Sequence, residues 1–165
     1  MKLKFSIFLI SCLLFIAGIG FAQHASLRNE DALKYVDPYI GSDYHGHVFV
    51  GTNVPYGMIQ LGPSNIHKGW DWCSGYHYSD SILIGFSHTH LSGTGCTDLG
   101  DILIMPLNEI RTPRGNQDDI QGGYASKYSH DNEIVRPEYY SLLVDRYGIK
   151  AELTTTDRVG FHRYT

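Results

Sequence analysis

Residues 139–165 read YYSLLVDRYGIKAELTTTDRVGFHRYT, and their pattern decides the fold class. Ile149, Ala151 and Leu153 alternate with Lys150, Glu152 and Thr154. A period of two sends one set of side chains to an apolar face and the other to water, which is the signature of a half-buried strand. Gly148 and the pair Asp157 and Arg158 interrupt the alternation with turn chemistry. The stretch is predicted to be a meander of three antiparallel strands with one wet face.

Upstream, residues 81–86 (SILIGF) and 101–106 (DILIMP) are short apolar runs bounded by Gly, Pro and Ser. Their length suits buried strands rather than helices. No long window carries the 3.6-residue period of an amphipathic helix. Residues 107–138, rich in Asn, Gln, Asp, Gly and Pro, read as a long decorated loop with a strand around 124–128. There is no internal repeat and no low-complexity tract, and the expected fold class is all-β.

At the N-terminus, Lys2 and Lys4 precede an apolar run over residues 5–19, and Gly20 and Ala22 sit at signal-peptidase spacing before Gln23. Residues 1–22 therefore read as a secretory signal peptide and residues 23–165 as the mature domain. The competing reading is a lipoprotein signal, because Leu9, Ile10, Ser11 and Cys12 fit a loose lipobox. The apolar run is shorter than the ~20 residues a bilayer crossing needs, so no membrane span is expected. A formal net charge of −4 gives no electrostatic footprint for nucleic acid or an anionic membrane. With Cys12 in the leader, Cys73 and Cys96 remain, and a disulfide between them is open because sequence gives no distance. VGFHRYT is still in strand register at Thr165, which leads us to expect a sheet that continues in a longer protein.

Eleven of the 18 glycines and six of the nine histidines fall between Gly41 and Met105, marking that region as shaped loops on the β scaffold. Within it, residues 70–80 (WDWCSGYHYSD) hold both tryptophans. If extended, this run puts Trp70 and Trp72 on one face and Asp71 on the other. An indole beside carboxylates suits a sugar ring, whose C–H face stacks while its hydroxyls need polar partners. The plain alternative is a tryptophan that plugs the end of a sandwich. His88 and His90 would share a strand face, as would His45 and His47, and with Asp98 or Asp101 they could bind zinc. They could equally satisfy loop backbone or touch a polar ligand. No HExxH helix, paired CxxC, phosphate loop or GxSxG elbow accompanies them. Acids for general acid/base work could be drawn from Asp71, Asp80, Asp98 and Asp101, but spacing singles out no pair.

Three blocks carry a family resemblance: DPYIGSDYHGHVFVGTNVPYGMIQLGPS (37–64), WDWCSGYHYSDSILIGFSHTHLSGTGCTDLGDILIMP (70–106) and AELTTTDRVGFHRYT (151–165). They resemble the N-terminal domain of glycoside hydrolase family 92. The resemblance implies a β-sandwich of the galactose-mutarotase-like supersandwich type, incomplete here, packed on a C-terminal (α/α)6 barrel. It implies a secreted or periplasmic, calcium-dependent, inverting exo-α-mannosidase, with α-1,2 linkages expected, that trims N-glycans or mannan. The family's general acid (Glu), general base (Asp) and most calcium ligands lie in the barrel, so no catalytic or metal residue is nominated here and the chain alone is expected to be inactive. The implied partners are mannose-containing glycans and the protein's own barrel. One tryptophan of the motif lines the leaving-group side of the family's pocket, and Trp70 and Trp72 both remain open. The substrate-binding candidates are Trp70, Asp71, Trp72, His88 and His90. Two rival functions stand beside this one: a free-standing carbohydrate-binding module with Trp70, Trp72, Tyr76 and Tyr78 as its platform, and a His-rich zinc hydrolase.

Overall fold

In the computed structural model, which describes residues 32–165, the alternating segment forms the centre of an antiparallel sheet. Among the described residues eight strands follow one another: β1 Thr52–Asn53, β2 Gln60–Asn65, β3 Ile82–Ser87, β4 Ser126–Lys127, β5 Glu133–Arg136, β6 Tyr139–Val144, β7 Ile149–Thr155 and β8 Gly160–Tyr164. They make two four-stranded sheets, ordered β1-β2-β3-β4 and β5-β6-β7-β8, with antiparallel neighbours throughout. The predicted meander is present as β6, β7 and β8, and β5 extends it by one strand. Gly148, at φ 61°, closes the β6–β7 turn, and Thr156 N–H donates to Val159 O at 2.9 Å across the Asp157–Arg158 turn. Thr165 exchanges both backbone hydrogen bonds with Lys150, at 2.8 and 3.0 Å.

Ala151, Leu153 and Thr155 of β7 point inward and are buried, while Lys150 and Thr154 are exposed. Tyr140, Leu142 and Val144 of β6 stand opposite Leu153, Ala151 and Ile149. Against this layer the other sheet sets Leu61, Leu83 and Phe86, and together they form the main apolar core. Thr52 and Thr155 hydroxyls meet at 3.1 Å across the two sheets.

All six residues of β3 are buried, which explains why this run is continuously apolar instead of alternating. Its inner residues join the main core. Ile82 and Ile84 face a second cluster with Ile66, Ala125 and Ile120, under the long loop. Both Leu83 and Phe86 reach the main core because the register slips beside Ile84: Ser64 pairs with Gly85 and Asn65 with Leu83. One extra residue resets the alternation.

The second predicted run, residues 101–106, is not a strand. It makes a single bridge, in which Ile104 and Phe86 exchange hydrogen bonds at 2.8 and 3.0 Å. Ile102 sits at φ 54°, a left-handed conformation that breaks an extended run and is costly for a β-branched residue. The strand expected around 124–128 is confined to β4.

Beside the apolar core, the carboxylate of Glu133 is fully enclosed and accepts hydrogen bonds from Tyr140 (2.6 Å), Tyr76 (3.2 Å) and His130 (2.6 Å). A buried charge is tolerable when its lone pairs are met in this way. Asp37–Thr165 make one compact unit. The predicted signal peptide and the lipobox lie outside the described residues. Among the described residues no helix is long and apolar enough to cross a membrane.

Candidate functional site

Gly69, at φ 128°, leads into a single 3-10 turn over Trp70–Trp72. Trp72 N–H donates to Gly69 O at 3.0 Å and Cys73 N–H to Trp70 O at 3.2 Å. With three residues per turn, positions i and i+2 diverge. The two indoles therefore do not share a face, contrary to the extended reading.

Trp72 is half-buried and held on every side. Its Nε1–H donates to Asp80 Oδ2 at 2.8 Å, its ring stacks on His77 with centroids 4.2 Å apart at 18°, and the Lys68 ammonium lies 5.5 Å from the ring centroid. Trp70 is the opposite case, with 57% of its surface exposed. The edge of His47 supports it at 90° with a centroid separation of 4.2 Å, and His45 lies at 5.4 Å. Behind the indole sits Gly95, where any Cβ would collide with Trp70 Nε1.

Asp71 joins the same cluster. Its Oδ1 accepts from His45 Nδ1 at 2.5 Å and lies 3.4 Å from His47 Nε2. The His45 hydrogen bond holds the Asp71 carboxyl below its ordinary value. His47 is buried, with φ 54°, and its carbonyl accepts from Gly93 N–H at 2.7 Å. The exposed surface is thus an indole flanked by an ionised carboxylate and an imidazole. His45 and His47, for which contact with a polar ligand is one of the sequence readings, are not among the five substrate-binding candidates; the HGH spacing is visible in the sequence, but their convergence on Asp71 is not.

The remaining candidates are placed differently. His90 is buried, stacks on Phe49 with centroids 5.3 Å apart, lies 2.9 Å from Gln60 O through Nδ1 and reaches Ser64 Oγ at 3.3 Å. Burial pushes its pKa down, so it is a neutral organiser of the loop. His88 donates from Nδ1 to Ile102 O at 2.9 Å. The two histidines follow the end of β3 and turn to different partners, so they do not form a shared face. Tyr76 is buried at 1% exposure, and Tyr78 stacks on His130 at 4.3 Å. Of the four aromatics in the binding-module reading, Trp70 is the most open, while Tyr78, 39% exposed, has a ring face taken by His130. Trp72, Cys73, His90, Asp98 and Arg114 help line a separate cavity of about 190 Å³.

Cys73 and Cys96 are both free thiols, the first buried and the second exposed. Cys73 Sγ is engaged with Thr94 O at 2.7 Å, and burial pushes its pKa up. Among the described residues no group of three or more His, Cys, Asp or Glu is placed to hold a metal ion. The zinc reading built on His88, His90, Asp98 and Asp101 thus finds no ligand set. Calcium takes six to eight oxygen ligands, and two imidazoles with one carboxylate at Asp71 do not fit it.

Residues 35–165 match the model of the glycosyl hydrolase family 92 N-terminal domain. An uncharacterized secreted glycosidase of Arthroderma benhamiae is 30% identical over 152 residues, covering 89% of this chain and 19% of that protein. A family GH92 α-mannosidase of Bacteroides thetaiotaomicron, solved in complex with mannoimidazole, superposes with a TM-score of 0.77 at 44% identity, over 81% of this chain and 18% of that one. A family GH92 inverting mannosidase from the same species gives 0.61 at 26% identity, with the same coverage. The chain spans about a fifth of the length of these relatives. The two-sheet architecture and the family match over nearly all described residues agree, and the chain belongs to glycoside hydrolase family 92, as its N-terminal domain.

Proposed function

We propose that this chain is the sugar-facing N-terminal domain of a secreted α-mannosidase, and that Trp70 is the surface it offers to the mannoside. The observation that carries this reading is the exposed Trp70 indole beside the Asp71–His45 pair. An exposed indole otherwise costs solubility and gains nothing, whereas a pyranose can stack on it and place hydroxyls against the carboxylate and imidazole. The solved α-mannosidases with the same N-terminal fold support the substrate class.

In this reading Asp71, kept ionised by His45, accepts hydrogen bonds from sugar hydroxyls, while Trp70 orients the ring and excludes water from one face. The acid and base that cleave an inverting glycosidase's substrate stand on opposite sides of the bond, and we assign them, together with calcium, to the family's C-terminal barrel. The α-1,2 preference and the trimming of N-glycans or mannan belong to the same proposal. Export follows from residues 1–22, with the mature chain starting at Gln23.

The test is steady-state kinetics on the enzyme that joins this domain to its catalytic barrel, with an α-1,2-mannobioside. Trp70→Ala should lower kcat/KM by ~1–3 kcal/mol of transition-state stabilisation without lowering Tm in proportion. Unchanged kcat/KM in that variant would remove Trp70 from the site. A chelator should abolish activity and added calcium restore it.

A further inference from the structure

His88 and His162 face each other through Nε2 atoms 3.1 Å apart, with ring centroids at 4.8 Å. One follows the end of β3 in the first sheet, and the other lies on β8, the edge strand of the second. Both Nδ1 atoms are already engaged, His88 with Ile102 O at 2.9 Å and His162 with the Tyr164 hydroxyl at 2.7 Å. Since a carbonyl can only accept, His88 carries its proton on Nδ1, and its Nε2 lone pair is bare. The metal-free pair is held by His162 Nε2–H donating to that lone pair.

We propose that His88 and His162 form a bidentate site for a divalent first-row transition metal that favours imidazole nitrogen, such as copper, nickel or zinc. Two nitrogens bound at ~2.0–2.1 Å to a tetrahedral ion lie ~3.3 Å apart, and a square-planar ion brings them closer, so the observed spacing already fits. To bind, His162 transfers its proton from Nε2 to Nδ1, where the Tyr164 oxygen accepts it, and both Nε2 lone pairs turn to the ion. Hydrogen bonding of the second ring nitrogen is the usual way a protein fixes a metal-binding tautomer.

The site is preorganised by backbone. His88 N–H donates to Asp101 O at 3.1 Å, its carbonyl accepts from Gln60 N–H at 3.0 Å, and His162 is in register with Leu153. Two protein ligands leave the other positions to solvent, so the ion would staple β8 to the opposite sheet rather than act as a three-ligand catalytic zinc. The site is separate from the Trp70 surface and does not depend on the mannosidase reading.

The experiment is titration of the full chain with copper(II), nickel(II) and zinc(II) by calorimetry, with electron paramagnetic resonance of the copper form. One saturable ion per chain is expected, with copper tightest in keeping with the usual order for nitrogen ligands, a two-nitrogen hyperfine pattern and a metal-dependent rise in Tm. His88→Gln and His162→Gln should each weaken binding more than about tenfold, Tyr164→Phe by about tenfold through the lost Nδ1 partner, and His67→Gln not at all. Circular dichroism distinguishes lost ligation from lost folding. Binding that persists in both glutamine variants, or a copper spectrum of the unaltered chain without two imidazole nitrogens, overturns the proposal; the spectrum needs no variant to fold.

Discussion

Trp72 donates its indole N–H to Asp80 at 2.8 Å, and Asp80 is 2% exposed. The same carboxylate takes Lys68 at 2.8 Å and the backbone N–H groups of Ser81 and Ile82 at 2.8 and 3.0 Å. Trp72 therefore belongs to the support of the loop, and Trp70 to its outer surface. Trp72→Phe leaves one lone pair of a buried carboxylate without its donor, which costs ~1–3 kcal/mol. Urea denaturation should show that loss for Trp72→Phe and a much smaller one for Trp70→Ala. Equal stability losses in the two variants would contradict the division of roles.

Gly95 gives a second, independent handle on Trp70. A methyl at this position would occupy the space of the indole Nε1 and push the ring off its seat on His47. The indole is exposed and can swing away, so folding should survive. Gly95→Ala is expected to lower kcat/KM of the full enzyme towards the level of Trp70→Ala with Tm nearly unchanged, and Gly95→Ala combined with Trp70→Ala should add little further. Full additivity of the two changes in kcat/KM would show that Gly95 acts elsewhere.

The tyrosines around Glu133 set the alkaline limit of stability. Burial first, and then the Glu133 carboxylate, push the Tyr140 hydroxyl well above its ordinary value of 10.0, and burial likewise raises Tyr76 and Tyr128. The folded chain keeps these protons to a higher pH than the unfolded chain does. Below pH ~10 both states hold them and the contribution is intact; above it the unfolded state ionises first, and stability falls by ~1.4 kcal/mol per pH unit for each such group. Urea midpoints between pH 8 and 11.5 should therefore drop steeply above 10. Tyr140→Phe should start from a lower stability but show a shallower decline.

The period-two pattern of β7 was legible because one face is wet, and SILIGF was legible as buried because β3 is covered on both faces. DILIMP resembled it in composition alone. Its failure lies in the left-handed backbone at Ile102, which no hydropathy pattern encodes. The tryptophan loop was legible as an unusual concentration of aromatic and polar groups, yet its geometry was not: the 3-10 turn after Gly69 separates two side chains that an extended chain would align. His45, His47 and Asp71 were each visible, but their meeting joins segments 24 and 26 residues apart. Glu133 carried no signal at all, since a lone acid in EIVR reads as a wet position until Tyr76 and Tyr140, from two other segments, enclose it with His130.

The last prediction concerns the acid side, where Glu152 on β7 meets Arg163 on β8. Arg163 Nε donates to Oε2 and Nη2 to Oε1, both at 2.7 Å, the Tyr139 hydroxyl donates to Oε1 at 2.8 Å, and Lys150 Nζ stands at 3.5 Å. This two-pronged grip of a planar guanidinium on a carboxylate is the strong form of an ion pair. The Arg163 hydrogen bonds, followed by that of Tyr139, lower the Glu152 pKa from 4.5 to about 2. Because the folded value is depressed, the contribution is fully present above pH 4.5 and is lost as pH falls towards 2. Carboxyl-carbon NMR should find the Glu152 midpoint near 2, and Arg163→Gln should raise it towards 4.5 while Tyr139→Phe moves it less. The acid limb of stability should flatten in Arg163→Gln, since the unfolded chain no longer binds that proton more readily than the folded one. A Glu152 midpoint near 4.5 in the unaltered chain would mean that β8 is not docked on β7 in solution, and it would remove the edge on which His162 is presented.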